Sequence, residues 1–261
     1  MRVLVCVKHV PDTTEVRFDP ANGELKVRQA PTKINDYDRH ALEAAARMRE
    51  ATGAEVVIGC VGPPEAGKTL KEAVAFGADR AVLVSGPWTA DIDAAGTAEV
   101  LVALARREGP FDLVLSGDVS EDGYHSLVPG LVAAALGVPF LRGVTAFQVD
   151  DGAAEVTRMS GEFEESYRLT LPSVLSVTRI LNEPRNITTL QVMKVPMSKV
   201  RTVGAGDVGV DETRLAPERL ATRVLAVRPA AQTRSTEIIS GDPDDIVRTL
   251  VTKLENAGVL R

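Results

Sequence analysis

Cysteine and histidine are scarce in this 261-residue chain, which holds two of the first and three of the second. Cys6 and Cys60 build neither a disulfide framework nor, by themselves, a four-ligand zinc site, and no metal site is expected. His9, His40 and His125 are scattered, none stands in a Ser or Cys nucleophile pattern, and the Gly-x-Ser-x-Gly elbow is missing, so a catalytic triad is not expected. A basic excess is also missing. Against 30 Lys and Arg stand 36 Asp and Glu, a formal net charge of −6 with a pI near 5.3. That argues against non-specific nucleic-acid binding, which needs clustered cations to displace phosphate counterions. No apolar run approaches the ~20 residues that span a bilayer. The opening ten residues read as a strand without a cleavage site, so we expect no signal peptide, no membrane insertion and a cytoplasmic location.

What is present is ordinary for a folded protein: 44% apolar and 25% charged residues, over a length that suits one large domain or two modest ones. Residues 2–7, 56–61, 81–84 and 112–116 are short, nearly continuous apolar strands. Between them lie helical stretches at 36–48, 65–76 and 97–107, with another at 126–136. Asp36 or Asp38 is placed to cap the first helix and Gly53 to stop it. Alternation of this kind predicts a parallel, doubly wound sheet covered on both faces, with ligands outside the carboxyl ends of the strands where strand order reverses. Residues 15–18 and 24–27 flank a turn-rich stretch and read as a hairpin. Four further strands, 143–149, 155–159, 164–169 and 174–177, read as an appended antiparallel meander. Periodicity is poor from 182 to 229, and a capped helix over 240–257, opened by Asp242-Pro243, ends at Gly258. The expected division is a 1–205 domain and a 206–261 arm whose helix docks on another chain.

Gly62-Pro63-Pro64-Glu65-Ala66-Gly67-Lys68-Thr69 fits the phosphate-loop pattern G-x-x-x-x-G-K-[ST], after a strand and before a helix. An ATP-binding or ATP-hydrolysing domain is therefore one reading. The chemistry opposes it: a phosphate cradle aims successive backbone N–H groups at the anion, and Pro63 and Pro64 have none. We read the stretch as a helix start with Lys68 solvated. The loop Gly117-Asp118-Val119-Ser120-Glu121-Asp122-Gly123-Tyr124-His125-Ser126 is the better candidate, because it leaves a buried strand and enters a helix N-terminus, where free N–H groups favour phosphate. Its three carboxylates would repel phosphate unless they point outward or hold ribose hydroxyls. A plain polar surface loop is the bland alternative, and the carboxylates lack calcium-loop spacing.

Several segments together resemble one family. Val3-Leu4-Val5-Cys6-Val7-Lys8-His9-Val10-Pro11-Asp12-Thr13, Ile34-Asn35-Asp36-Tyr37-Asp38-Arg39-His40-Ala41-Leu42, Ala73-Val74-Ala75-Phe76-Gly77-Ala78-Asp79, Leu171-Pro172-Ser173-Val174-Leu175 and Leu181-Asn182-Glu183-Pro184-Arg185 occur in the order found in the β subunit of electron transfer flavoprotein, FixA-like members included. The resemblance implies an adenine-nucleotide-binding α/β fold and an electron carrier rather than a self-sufficient enzyme. It implies a heterodimer with an α subunit that carries FAD near the interface, while this chain holds AMP or a second FAD, the latter in electron-bifurcating members. Electrons would come from a flavin dehydrogenase and pass to a quinone-linked or ferredoxin acceptor. Carried over by position, Cys6, Asn35, Asp36, Tyr37, Asp38, Val61, Thr97, Gly117, Asp118, Val119, Ser120, Asp122, Gly123, Tyr124, His125, Ser126, Leu127 and Val128 surround the nucleotide. Thr13 and Tyr37 approach the α-chain flavin, residues 206–260 form the arm that wraps the α chain, and Thr189, Leu190, Met193 and Lys194 form the partner-recognition loop. The sequence departs from the family in three places. Asp118, Val119 and Ser120 follow Gly117, and Tyr124-His125 follow Asp122-Gly123. Ala94 replaces the first of two threonines, and most of the recognition loop's lysines are gone. A stress-type nucleotide-binding module without a redox role is a further alternative.

Overall fold

The computed structural model describes residues 1–17, 19, 25–225 and 236–260. The tip of the expected hairpin (18 and 20–24) and part of the expected arm (226–235) lie outside the described residues. At the hairpin's base the Lys26 amide donates to the Arg17 carbonyl at 2.8 Å.

Strand β1 (Arg2–Cys6) leads to a small antiparallel pair, β2 (His9–Pro11) and β3 (Thr32–Ile34), and then to α1 (Asp36–Thr52), β4 (Glu55–Val61), α2 (Ala66–Ala75), β5 (Arg80–Val84), α3 (Ala94–Glu108) and β6 (Leu113–Gly117). After these come α4 (Val128–Leu136), β7 (Phe140–Asp150), β8 (Ala153–Ser160), β9 (Phe163–Thr170), β10 (Ser173–Val177), the short α5 (Thr189–Lys194), β11 (Val200–Val203) and α6 (Pro243–Asn256). The large sheet runs β11-β5-β4-β1-β6-β10-β7-β8-β9. Every pairing from β11 to β7 is parallel, and β7, β8 and β9 pair antiparallel.

Burial on both faces explains the continuous apolar strands. In β1 the side chains alternate, Val3 and Val5 joining a core under α1 and α2, Leu4 joining a second core under α3 and α4. From β1 the chain steps to β4 and β5 in one direction, with α1 and α2 on one face. It then returns through α3 to β6 on the other side of β1. Strand order thus reverses between β1 and β6, the switch point outside whose carboxyl ends open α/β sheets have their ligand crevice.

Three expectations change. Strand β10 is not part of the meander: it lies in the interior, parallel to both β6 and β7, and all five of its residues are buried. The poorly periodic stretch contains β11, an edge strand parallel to β5; with Arg201 and Thr202 exposed, its sequence looks polar. The expected boundary at 206 falls inside a compact unit that extends over Met1–Val227, because Val208, Val210 and Leu215 bury themselves against the α3 core.

The second unit, Arg228–Arg261, holds α6, where the Asp242 carboxylate accepts the Asp244 amide at 3.1 Å and Pro243 occupies the first turn. Among the described residues no helix is long and apolar enough to cross a membrane, and no group of three or more His, Cys, Asp or Glu is placed to hold a metal ion.

Candidate functional site

The crevice is assembled from the loops after β1 and β6 and the start of α1. Neither Asp36 nor Asp38 caps α1 as expected. Asn35 takes the N-cap position without a side-chain cap bond, and Asp38 is turned inward, 4% exposed. Its two oxygens accept the Lys8 amide at 2.7 Å and the Gly117 amide at 2.9 Å, so one carboxylate ties the ends of two neighbouring strands. Asn35, 1% exposed, works alongside it, donating from Nδ2 to the Val119 carbonyl at 2.9 Å and accepting the Glu121 amide on Oδ1 at 3.1 Å. The loop is stitched to α1 through its backbone.

Each of its three carboxylates has a cation, which answers the repulsion expected from sequence. Asp122 meets Lys8 Nζ at 2.7 Å. Glu121 meets Lys33 at 3.2 Å and Arg179 at 3.4 Å. Asp118 turns to Arg142 at 3.1 Å and also accepts the Ser176 hydroxyl at 2.8 Å and the Gly143 amide at 3.2 Å. These cations were missed in the sequence, because no fixed spacing links them to the loop. Only the three-dimensional register of β1, β3, β7 and β10 brings them in.

The second half of the loop is built differently. Tyr124 and Ser126 both have φ of 53°, a left-handed conformation that costs a non-glycine residue roughly 1–3 kcal/mol. φ is positive at Tyr124 and Ser126 and negative at Leu127, and left-handed residues interleaved with right-handed ones are a feature of backbone anion nests. Among the described residues the backbone amides of His125, Ser126, Leu127 and Val128 donate to no protein acceptor. They lead directly into α4, whose dipole adds positive potential.

Burial dominates the titration of the inner groups. It pushes Asp38 up to about 6, opposed by the hydrogen bonds from Lys8, Asn35 and Gly117. It also pushes the Cys6 and Cys60 thiols up to about 12, helped by the Asp38 charge. Both thiols are therefore neutral. For Asp122, burial acts upward but the charge and hydrogen bond of Lys8 outweigh it and hold its carboxyl below the usual range.

Of the residues expected at the site, the structure brings together Cys6, Asn35, Asp36, Tyr37, Asp38 and the loop from Gly117. Side-chain alternation places Cys6, Val61 and Val128 on the face covered by α3 and α4, where Thr97 lies in the first turn of α3 with its hydroxyl donating to the Asp93 carbonyl at 2.8 Å. Thr13 is exposed in the turn after β2, and the Tyr37 ring carries the Arg179 guanidinium 4.5 Å from its centre. Thr189, Leu190, Met193 and Lys194 lie on α5, closed by a Thr188–Gln191 capping box, with Leu190 61% and Met193 72% exposed. His40 exchanges hydrogen bonds with Asn182, and His9 Nδ1 lies 2.8 Å from the Thr69 hydroxyl. The Gly62–Thr69 stretch is no cradle: the amides of Ala66, Gly67 and Lys68 donate to the carbonyls of Pro63, Pro64 and Glu65 at 3.0–3.2 Å, and the Gly62 amide donates to Val84.

A parallel sheet covered on both faces, with strand order reversing between β1 and β6, defines a doubly wound α/β protein whose candidate site lies at the strand carboxyl ends. Residues 25–204 match the family described as "Electron transfer flavoprotein domain". The chain is 32% identical over 261 residues, the whole of both chains, to "Electron transfer flavoprotein subunit beta" of Thermoanaerobacterium thermosaccharolyticum. It is 30% identical over 262 residues, again the whole of both, to "Caffeyl-CoA reductase-Etf complex subunit CarD" of Acetobacterium woodii. With "Protein FixA" of Bradyrhizobium diazoefficiens it shares 30% identity over 219 residues, 81% of this chain and 76% of the other. The chain belongs to the electron transfer flavoprotein family, on its β-subunit, FixA-like side.

Proposed function

We propose that this chain is the β subunit of a heterodimeric electron transfer flavoprotein, holding AMP or a second FAD in the β1/β6 crevice and pairing with an α subunit that carries FAD. The observation that carries the reading is the run of amides at residues 125–128, unpaired among the described residues and flanked by positive φ at Tyr124 and Ser126. Four such donors before a helix suit a nucleotide phosphate. The loop's neutralised carboxylates remove the electrostatic objection to an anion there. Asn35, Asp38 and Lys8 shape the loop, and the neutral Cys6 and Val61 offer an apolar wall to a base. A flavin, when bound, supplies the redox chemistry; the chain orients it and excludes water. Electrons would arrive from a flavin dehydrogenase engaging α5 and leave to a quinone-linked or ferredoxin acceptor, in the cytoplasm.

The test is co-purification with the neighbouring α-like chain, followed by release and counting of flavin and AMP per heterodimer. One flavin with AMP identifies a simple carrier, and two flavins identify the bifurcating type. A purified pair that releases neither defeats the proposal. A chain that binds AMP yet never pairs or turns yellow supports the stress-type module instead.

A further inference from the structure

We infer that Asp38 is the positioning residue of the crevice: by accepting the Lys8 and Gly117 amides on its two oxygens, it holds the loop after β6 in the shape that presents the amides of residues 125–128. The inference rests on the nucleotide reading given above and assigns the residue on which that binding depends.

Both bonds are short, 2.7 and 2.9 Å, and reach chain segments on opposite sides of the strand reversal. The Asn35 side chain and the Lys8 ammonium add their contacts further along the same loop, at Val119, Glu121 and Asp122. The Asp38 carboxylate takes the Gly117 amide at its root, where β6 ends. Gly117 has to be glycine there, since a Cβ would stand 2.5 Å from Asp38 Oδ1. A carboxylate this deep is an expensive way to fill space, because burial disfavours its charge. Its geometry gives the reason. Each oxygen takes one N–H, and only the ionised carboxyl is a strong acceptor at both; an amide sets an NH2 donor against one N–H, and a protonated acid leaves a weakly accepting hydroxyl there.

The arrangement makes the clamp proton-sensitive. The groups facing Asp38 are the Lys8 ammonium and Asn35 amide, together with the neutral Cys6 and Cys60 thiols of β1 and β4. The two thiols stay protonated between neutral and mildly acid pH, whereas Asp38, pushed up to about 6, ionises there.

The experiment measures AMP affinity of the full chain by calorimetry for wild type and Asp38→Asn between about pH 5 and pH 7.5. Taking the ratio of the two dissociation constants at each pH cancels the titration of the ligand's own phosphate, whose second pKa is about 6. The variant should bind about tenfold more weakly at pH 7.5, and the ratio should shrink toward one by pH 5, where the wild-type acid is itself protonated. A ratio that is one throughout, or large but constant with pH, overturns the inference. Hydrogen exchange on nucleotide-free wild type decides it without a variant. Protection of the Lys8 and Gly117 amides, corrected for intrinsic rate, should fall on acidification, and unchanged protection overturns it. Wild type that binds neither AMP nor FAD while those amides lose protection defeats the nucleotide reading and leaves the clamp standing.

Discussion

Gly117 passes so close beneath Tyr37 that a Cβ on it would stand 2.5 Å from the Tyr37 Cβ. Backbone on one side and a helix start on the other leave no flexible atom to yield. Gly117→Ala should therefore push the start of α1 away from β6, costing about 1–3 kcal/mol in denaturation experiments and weakening AMP binding. A variant with wild-type stability and affinity would mean that α1 and β6 part easily here.

Glu43 is 3% exposed on α1 and would be untenable alone. Burial pushes its carboxyl up, but hydrogen bonds from Arg185 at 2.7 Å and Arg47 at 2.6 Å prevail and hold it below the usual range. Arg185→Ala should cost about 3 kcal/mol, since only Arg47 and the backbone amide of residue 185 would remain. Because the folded pKa is lowered, Glu43 contributes stability that is complete above its ordinary pKa and lost as pH falls through the folded value. The difference between wild type and variant in urea melts should accordingly shrink in acid.

Asp38 has the opposite sign. Its folded pKa stands near 6 against an ordinary 3.8, so the folded chain holds this proton more tightly than the unfolded one. Ionisation then removes stability as pH rises from about 4 to 6, by about 3 kcal/mol in all. Across that range wild type should lose ground against Asp38→Asn in chemical denaturation. A flat difference would place the ionisation of Asp38 at its ordinary pH.

The local grammar of the chain reveals its layers but not its long-range joints. Strand and helix order, the Gly53 stop and the Asp242-Pro243 start are all written within a few residues of where they act. Asp38 sits where a capping residue belongs, yet its oxygens are claimed by amides 30 and 79 residues away, a pairing that no spacing rule contains. Strand β10 was misplaced for a related reason. Ser173-Val174-Leu175-Ser176-Val177 follows three antiparallel strands in sequence, but its lack of a polar face is the mark of an interior strand. In the crevice, the Gly117 loop was legible from its composition and its helix junction. The cations that balance its carboxylates, Lys33, Arg142 and Arg179, were not.

The phosphate-loop look-alike offers a clean negative control. The amides of Ala66, Gly67 and Lys68 are already spent on carbonyls three residues back, and Thr69 is buried against His9. Lys68→Ala should leave nucleotide affinity within about twofold, a change of less than 0.5 kcal/mol. Abolished binding would return the site to that loop.

On α5, Leu190 and Met193 stand bare while Lys194 is the helix's single cation, so contact there would rest on apolar burial rather than on charge. Ionic screening acts on charge pairs and hardly at all on a buried leucine. If α5 receives the dehydrogenase as proposed, reduction of the heterodimer should therefore vary little with added salt. Leu190→Ala should weaken the encounter complex by about 2 kcal/mol, roughly thirtyfold, if the leucine is an anchor filling a pocket. The capping box fixes how that leucine is presented, so Thr188→Ala, which frees the first turn at a cost of about 1 kcal/mol, should weaken the complex less and in the same direction. Stopped-flow reduction at several ionic strengths separates the possibilities. A steep salt dependence with an indifferent Leu190→Ala would show that the partner reads charge elsewhere on the surface.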